Sequence, residues 1–388
     1  MLDLFTILFW GCLALIAHTY LLYPMWMIWR YKSPTRSMPV YERNETLPSV
    51  AIIIAAYNEE KVIEQKIRSV MDTDYPISLI EVLVGSDAST DNTDLILKKL
   101  CSEYPNIRLQ LFSHRSGKIN IVNQLQSMTE ADILFLTDAN VMFNASTIYE
   151  LVKYFKDDQV GIVASNIIKQ SNVEAGITYQ EKKYLSLENK LKTAESNAYG
   201  IIIGAEGGCY AIRNSLFSRV PIKFNVDDFF ITMQVIARGK KTLFNPNAVC
   251  FEDVHSDPSG EYRRKVRISS GNFQNLLFFR STLYTFWKPL GFMFLSHKVL
   301  RWLTPFFLIF TLVASIVLSS QGTLFVIALV LQLLLLLTVL MDRYLGMAQK
   351  HIRFISHFYM MNLALLVGFI RFTRGIKSSI WQPIKRNV

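Results

Sequence analysis

Cysteine is scarce and scattered in this chain of 388 residues: Cys12, Cys101, Cys209 and Cys250 form no CxxC pair and show no metal-ligand spacing. That excludes a cysteine-built metal site and fits a reducing compartment without disulfides. No basic stripe interleaved with aromatics accompanies the formal charge of +10, so nucleic acid is excluded as a partner. The long apolar runs hold almost no ionisable residues, and a transporter, whose pathway needs them, is excluded as well. The first run, residues 2–29, is too long for a signal peptide's apolar core and lacks a small-residue cleavage site. Two sequons, Asn44-Glu-Thr46 and Asn144-Ala-Ser146, fall in the part assigned below to the cytoplasm and read as chance.

What is present divides the chain. Hydrophobic residues make up 51% of it, concentrated at the two ends. About 20 apolar residues suffice to cross a bilayer. Residues 1–32 therefore form an N-terminal transmembrane helix, followed by a linker over 33–47. Further spans are expected at Val299–Ser319, Thr323–Met341 and Phe354–Ile370, within 299–371. Between the ends, residues 48–260 have ordinary soluble composition, enough to bury a core. Arg30, Lys32 and Arg36 follow the first span, and Arg263, Arg264, Lys265 and Arg267 precede the later ones. Such flanks belong on the cytoplasmic side, facing anionic lipid. Residues 261–298 combine this basic segment with an aromatic-rich stretch, Phe273–Lys298, expected to lie on the bilayer surface. Three spans after a cytoplasmic domain would put the basic tail, residues 372–388, outside. Either the last segment is re-entrant or the positive-inside tendency fails here.

The soluble part alternates strand and helix. Val50–Ala55 is a continuous apolar run, as in a strand buried on both faces. Ile63, Ile67 and Val70 then recur at helical spacing. Ile80–Val84, Ile107–Phe112, Ile133–Leu136 and Val160–Ala164 read as further strands. Leu95–Leu100, Ile121–Met128 and the face Ile148, Leu151, Val152 and Phe155 read as helices. This is an α/β domain with a mainly parallel sheet, whose ligands bind at the carboxyl ends of the strands. Polar residues are dense there: Ala56-Tyr-Asn-Glu-Glu60, Ser86-Asp-Ala-Ser-Thr-Asp-Asn-Thr93, Arg115-Ser-Gly-Lys118 and Thr137-Asp-Ala-Asn140. Each alone is explained by capping or turn formation; together they ring one rim with carboxylates, a lysine and an amide.

The stretch from Pro48 to Glu60, followed by Ser86–Thr93, resembles the membrane-bound family 2 glycosyltransferases of the GT-A fold, the branch containing cellulose, hyaluronan and poly-N-acetylglucosamine synthases. That resemblance implies a Rossmann-like GT-A domain in the cytoplasm, held by N-terminal and C-terminal transmembrane helices in the cell membrane. It implies an inverting transfer of sugar from a nucleotide donor, UDP being expected, to a saccharide or lipid-linked acceptor in polysaccharide or glycolipid synthesis, with export or assembly partners. Tyr57, Glu59 and Asp87 would line the nucleotide, and Lys118 would lie near it, with Asn123 at the family's following asparagine. Asp138 and Asn140 occupy the metal motif, for Mg2+ or Mn2+. Gly207 and Gly208, in the segment Gly204–Arg213, match the glycine-rich acceptor side. Asp227 and Asp228 match the acidic dyad whose second member is the general base. Arg264 and Arg267 stand in the segment that contacts the diphosphate.

Departures from the family pattern are informative. Ser86 replaces an aspartate, and Asn140 replaces the last aspartate of the metal motif. Ile268 stands where the family has tryptophan, so the aromatic platform of a processive enzyme is absent at that position. These departures are what a second reading, a membrane-bound nucleotide sensor that kept the fold, would cite. The presence of Asp87, Lys118, Asp138 and Asp228 favours the enzyme. His255 is a candidate metal ligand, and the helix Tyr184–Glu195 carries no assigned chemistry.

Overall fold

The computed structural model describes residues 2–33, 37–170, 177–253, 258–345 and 350–376. They fall into two compact units. One lies within Tyr31–Ser171 and Glu188–His255, the other within Met1–Arg30, Asn172–Leu187 and Ser256–Ile376.

The first unit is built on a mixed sheet of strands β1 (Val50–Ala56), β2 (Ile80–Ser86), β3 (Ile107–Leu111), β4 (Ile133–Asp138), β5 (Val141–Phe143), β6 (Val160–Gln170), β7 (Cys209–Arg213) and β8 (Lys241–Asp253). Their order is β3-β2-β1-β4-β7-β6-β8-β5. The parallel arrangement read from the sequence holds for β3-β2-β1-β4 and again for β6-β8. Strand β7 enters antiparallel to both its neighbours, and β5 runs antiparallel to β8. Val50, Ile52 and Ile54 on one face and Ala51 and Ile53 on the other are all excluded from solvent, which is why this run alternates no polar residues. Helices flank the sheet. In Ile63–Met71, the residues Ile63, Ile67 and Val70 pack into the core.

Parallel pairing aligns the ends of β1, β2 and β4. Ala55 is level with Gly85 and with Asp138. The loops that leave these strands therefore emerge side by side, which is what a site at the carboxyl edge requires.

The second unit is helical. Among the described residues, four helices are long and apolar enough to cross a membrane: Leu2–Arg30, Pro289–Leu318, Thr323–Asp342 and Ile352–Thr373. The span expected at Val299–Ser319 thus begins earlier, at Pro289, than its apolar composition suggested. The stretch 273–298 is not one surface helix: a helix Pro258–Phe278 ends, a 3-10 turn follows at Arg280–Thr285, and Pro289 starts a new helix at its first position. Two π-helical turns, His18–Leu22 and Phe294–Val299, meet through Thr19 Oγ1 donating to the Ser296 carbonyl at 2.7 Å and His18 Nε2 lying 2.9 Å from Ser296 Oγ. Phe9 packs with Ala314 and Leu318, joining the first span to the second.

Phe135 lies fully buried at the centre of the sheet core. Phe135→Ala should cost about 3–5 kcal/mol, read as a lowered thermal midpoint of the detergent-solubilised protein, with no comparable loss from the exposed Leu95→Ala.

Candidate active site

Tight loops fix the rim. Asn58 and Ala88 both adopt left-handed backbone, at φ 54° and 55°, and the two loops lock together. The Asn58 N–H donates to Ser89 Oγ at 3.2 Å, and its side-chain amide pairs with Thr90. The Glu59 N–H donates to Thr93 Oγ1 at 2.8 Å. Ser86 is fully buried and hydrogen-bonded to Asp94 and Ser89, so the serine that departs from the family pattern closes a network inside the loop.

Asp87 is almost wholly buried, and its carboxylate accepts from the Ser116 N–H at 2.5 Å, the Gly117 N–H at 3.1 Å and Arg115 Nε at 3.0 Å. The Arg115 guanidinium lies 3.3 Å over the Tyr57 ring. Asp87 thereby shapes the turn that leads into the helix Lys118–Gln126, where Gly117 at φ 81° lets the chain reverse. Lys118, the first residue of that helix, reaches Asp138 Oδ1 at 2.5 Å. Asn123 spends both ends of its amide on the Val220 backbone, at 2.9 and 3.2 Å, a fold contact rather than a ligand contact.

Asp138 ends β4. Its N–H and the Thr137 hydroxyl both donate to the Gly208 carbonyl, at 3.0 and 2.9 Å. Asn140 donates to Glu252 at 3.3 Å. A Cβ on Gly207 would sit 2.5 Å from Asp228 Oδ2, and one on Gly208 would sit 2.6 Å from Ile167. The first glycine thus makes room for a site carboxylate and the second for the core. Asp227 and Asp228 open the helix Asp227–Ala237, and the Phe229 N–H donates to Asp228 at 2.6 Å. Arg264 and Arg267 lie on the helix Pro258–Phe278 of the other unit, where Arg264 pairs with Glu261 at 3.4 Å. His255 and the tail residues Lys377, Lys385 and Arg386 lie outside the described residues.

Residues 51–220 match Glycosyl transferase family 2. Over that stretch, less than half of the chain, it is similar to members of that family. Among relatives of this chain is the poly-beta-1,6-N-acetyl-D-glucosamine synthase of Staphylococcus aureus, 26% identical over 253 residues, which cover 63% of this chain and 60% of that protein. Another is the beta-monoglucosyldiacylglycerol synthase of Trichormus variabilis, 32% identical over 124 residues, 31% of this chain and 26% of that protein. The chain thus spans less than two thirds of either relative. A solved mannosyltransferase from Pyrobaculum calidifontis, in complex with GDP-Man and Mn2+, superposes with a TM-score of 0.70 over 96% of this chain and 99% of its own, at 22% identity. At that identity the likeness is one of fold.

Electrostatics couple several residues of the rim. Burial opposes the charge on Lys118, yet Asp138, Asp227 and Asp228 together hold its ammonium above the ordinary lysine range. Burial and the adjacent Asp227 carboxylate push Asp228 up to about 7, against the pull of Lys118. Three residues join the site that their sequence context did not announce. Arg115 stacks on Tyr57; its place two residues before Gly117 was the available signal. Tyr210 has a buried hydroxyl with no hydrogen-bond partner among the described residues, in the field of Asp227, Asp228 and Asp138. Lys66 is completely buried beneath the β4–β5 turn, and its position among Ile63, Ile67 and Val70 gave no signal.

Ala88 is held in a conformation that costs an L-residue about 1–2 kcal/mol, while glycine loses about 0.5–1 kcal/mol more on ordering than alanine. Ala88→Gly should therefore stabilise the domain by about 0.5–1 kcal/mol, measured as a raised thermal midpoint.

Proposed function

We propose that the chain transfers a sugar from a nucleoside diphosphate donor, with UDP the expected nucleotide, to a hydroxyl of a saccharide or lipid-linked acceptor at the membrane, inverting the anomeric centre. The observation that carries this is Lys118, 2.5 Å from Asp138 and in the combined field of the Asp227–Asp228 pair. A cation between a rim carboxylate and a raised-pKa aspartate suits a reaction in which negative charge builds on a leaving diphosphate as a hydroxyl loses its proton.

In this reading Tyr57, Glu59, Asp87 and Arg115 form the nucleoside end. Asp87 orders the 115–118 turn so that Lys118 meets the diphosphate through a charged hydrogen bond. Asp228 takes the proton of the acceptor hydroxyl while that oxygen attacks opposite the leaving group. Gly207 keeps Asp228 Oδ2 uncovered by any side chain of its own.

The residues also fit a divalent ion. Asp138 gives only one of its carboxylate oxygens to Lys118, and the Asn140 side chain uses its amide nitrogen on Glu252. Two hard oxygen donors therefore remain on one turn. Among the described residues no group of three or more His, Cys, Asp or Glu side chains could hold a metal ion. Asp138 and Asn140 would thus hold Mg2+ or Mn2+ together with the diphosphate, as suits ions that keep phosphate and water ligands. The ion would supply charge neutralisation of the leaving group.

The spans would tether the enzyme where a lipid-linked or growing acceptor resides, and the basic flanks Arg30, Lys32 and Arg263–Arg267 support a catalytic domain on the cytoplasmic side of the cell membrane. Synthesis of a surface polysaccharide or glycolipid follows, with export or assembly partners beyond the membrane.

Purified membranes incubated with labelled nucleotide sugars and Mg2+ or Mn2+ should yield product, and Asp228→Asn should lower turnover by about 10²–10⁴-fold with nucleotide binding retained. Nucleotide binding without product from any donor would favour the sensor. Asp228 must be ionised to accept a proton, so kcat/KM should rise with pH through about 7. Asp227→Asn removes a neighbouring negative charge and should move that rise to lower pH.

A further inference from the structure

A lysine sits where the core pattern calls for an apolar side chain. Lys66 shares a face of the helix Ile63–Met71 with Ile63, Ile67 and Val70, and none of its surface is accessible. Sequestering an ammonium is costly unless its donors are satisfied, and a methionine of similar length would fill the space without that cost. The donors are satisfied in one direction only, towards the turn between β4 and β5. Nζ donates to Thr137 Oγ1 at 2.9 Å and to the Val141 carbonyl, and lies 3.7 Å from the centre of the Phe143 ring. Thr137 and Val141 are the two residues that bracket Asp138, Ala139 and Asn140.

The same helix makes a second tie. Ser69 Oγ accepts from the Phe143 N–H at 3.1 Å while donating to the Lys66 carbonyl at 2.8 Å. Thr137 passes the connection on, because its hydroxyl also reaches the Gly208 carbonyl at 2.9 Å. Lys66 is distinct from Lys118. Lys118 meets Asp138 from the rim, half exposed to solvent, whereas Lys66 meets the backbone ends of the turn from within the core. Burial draws the Lys66 ammonium down to about 8, against the influence of Cys209, Cys250 and Asp138, so it is largely charged at neutral pH.

We propose that Lys66 is a positioning residue: its ammonium clamps both ends of the 137–141 turn and so sets the spacing at which Asp138 and Asn140 present oxygens to a divalent ion. The clamp touches neither donor nor acceptor and acts through the turn alone. It rests on the reading of Asp138 and Asn140 as ion ligands, but the rigidity it confers is a property of the metal-free protein and is measured separately.

The test uses the full chain in detergent, with Lys66→Met, Thr137→Val and the conservative Thr137→Ser. Hydrogen exchange is followed in metal-free protein, comparing a peptide covering 137–143 with one covering 80–86. Mn2+ binding is followed in the presence of UDP by the loss of the free-ion electron paramagnetic resonance signal. Lys66→Met and Thr137→Val should each speed exchange in 137–143 by about tenfold or more, leave 80–86 unchanged, and weaken Mn2+ binding by about tenfold. Thr137→Ser, which keeps the hydroxyl, should match the parent in both measurements. Unchanged exchange in 137–143 for both Lys66→Met and Thr137→Val overturns the clamp. So does global acceleration in Lys66→Met accompanied by an unaltered Thr137→Val protein. Faster local exchange in a protein whose parent form binds no Mn2+ leaves the clamp standing on the turn, and removes instead the ion-ligand reading and the role assigned to the clamp in it.

Discussion

One cation surrounded by three carboxylates organises this domain. Lys118 is contacted by Asp138 and lies in the field of Asp227 and Asp228, and these groups come from three separate segments of the chain. Without the ammonium, three acidic groups at the edge of a low-dielectric sheet would repel one another and take up protons. With it, the rise of the Asp228 carboxyl that burial and Asp227 produce is held back. The loops around this centre are correspondingly stiff. Asp87 is committed to three donors of the 115–117 turn, and Asn58 and Ala88 accept left-handed geometry to keep the first two loops in contact.

Two kinds of polarity are buried in the protein, and they serve different ends. In the sheet domain, Lys66, Ser86 and Asp87 are enclosed by partners that define the course of a loop. In the helical unit, the buried polar groups answer for backbone. The Thr19 hydroxyl covers a carbonyl of the π-helical turn at Phe294–Val299, and Ser269 Oγ donates to the Leu365 carbonyl where Gly368 lets two helices approach. Within apolar surroundings, an uncovered carbonyl would cost more than the side chain spent on it.

The strands β1, β2 and β4 were readable because a strand buried on both faces must be apolar at every position, and such runs stand out against their polar loops. Strand β8 was not: Asn245, Pro246 and Asn247 interrupt it, and the strand survives because its pairing with β6 shifts register between Ala164 and Asn166, where Asn166 reaches the Pro246 carbonyl. Strand β5 is only three residues long and follows directly on the Thr137–Asn140 motif. Of the site, the carboxylates and Lys118 could be marked because acids and bases at strand ends are conspicuous. Arg115 stood in a marked strand-end stretch but without a role, and Tyr210 and Lys66 gave no sign, since what matters is what each faces: the Tyr57 ring, the Asp227–Asp228 pair and the underside of a turn.

The carbonyl of Gly208 accepts two bonds at once, one from the backbone of Asp138 and one from the hydroxyl of Thr137. Residue 207, its immediate neighbour, is packed directly against Asp228. The glycine segment is therefore tied to the end of β4 on one side and to the start of the helix Asp227–Ala237 on the other. Under the proposed function these are the donor side and the acceptor side, and a displacement of this short stretch would carry both with it.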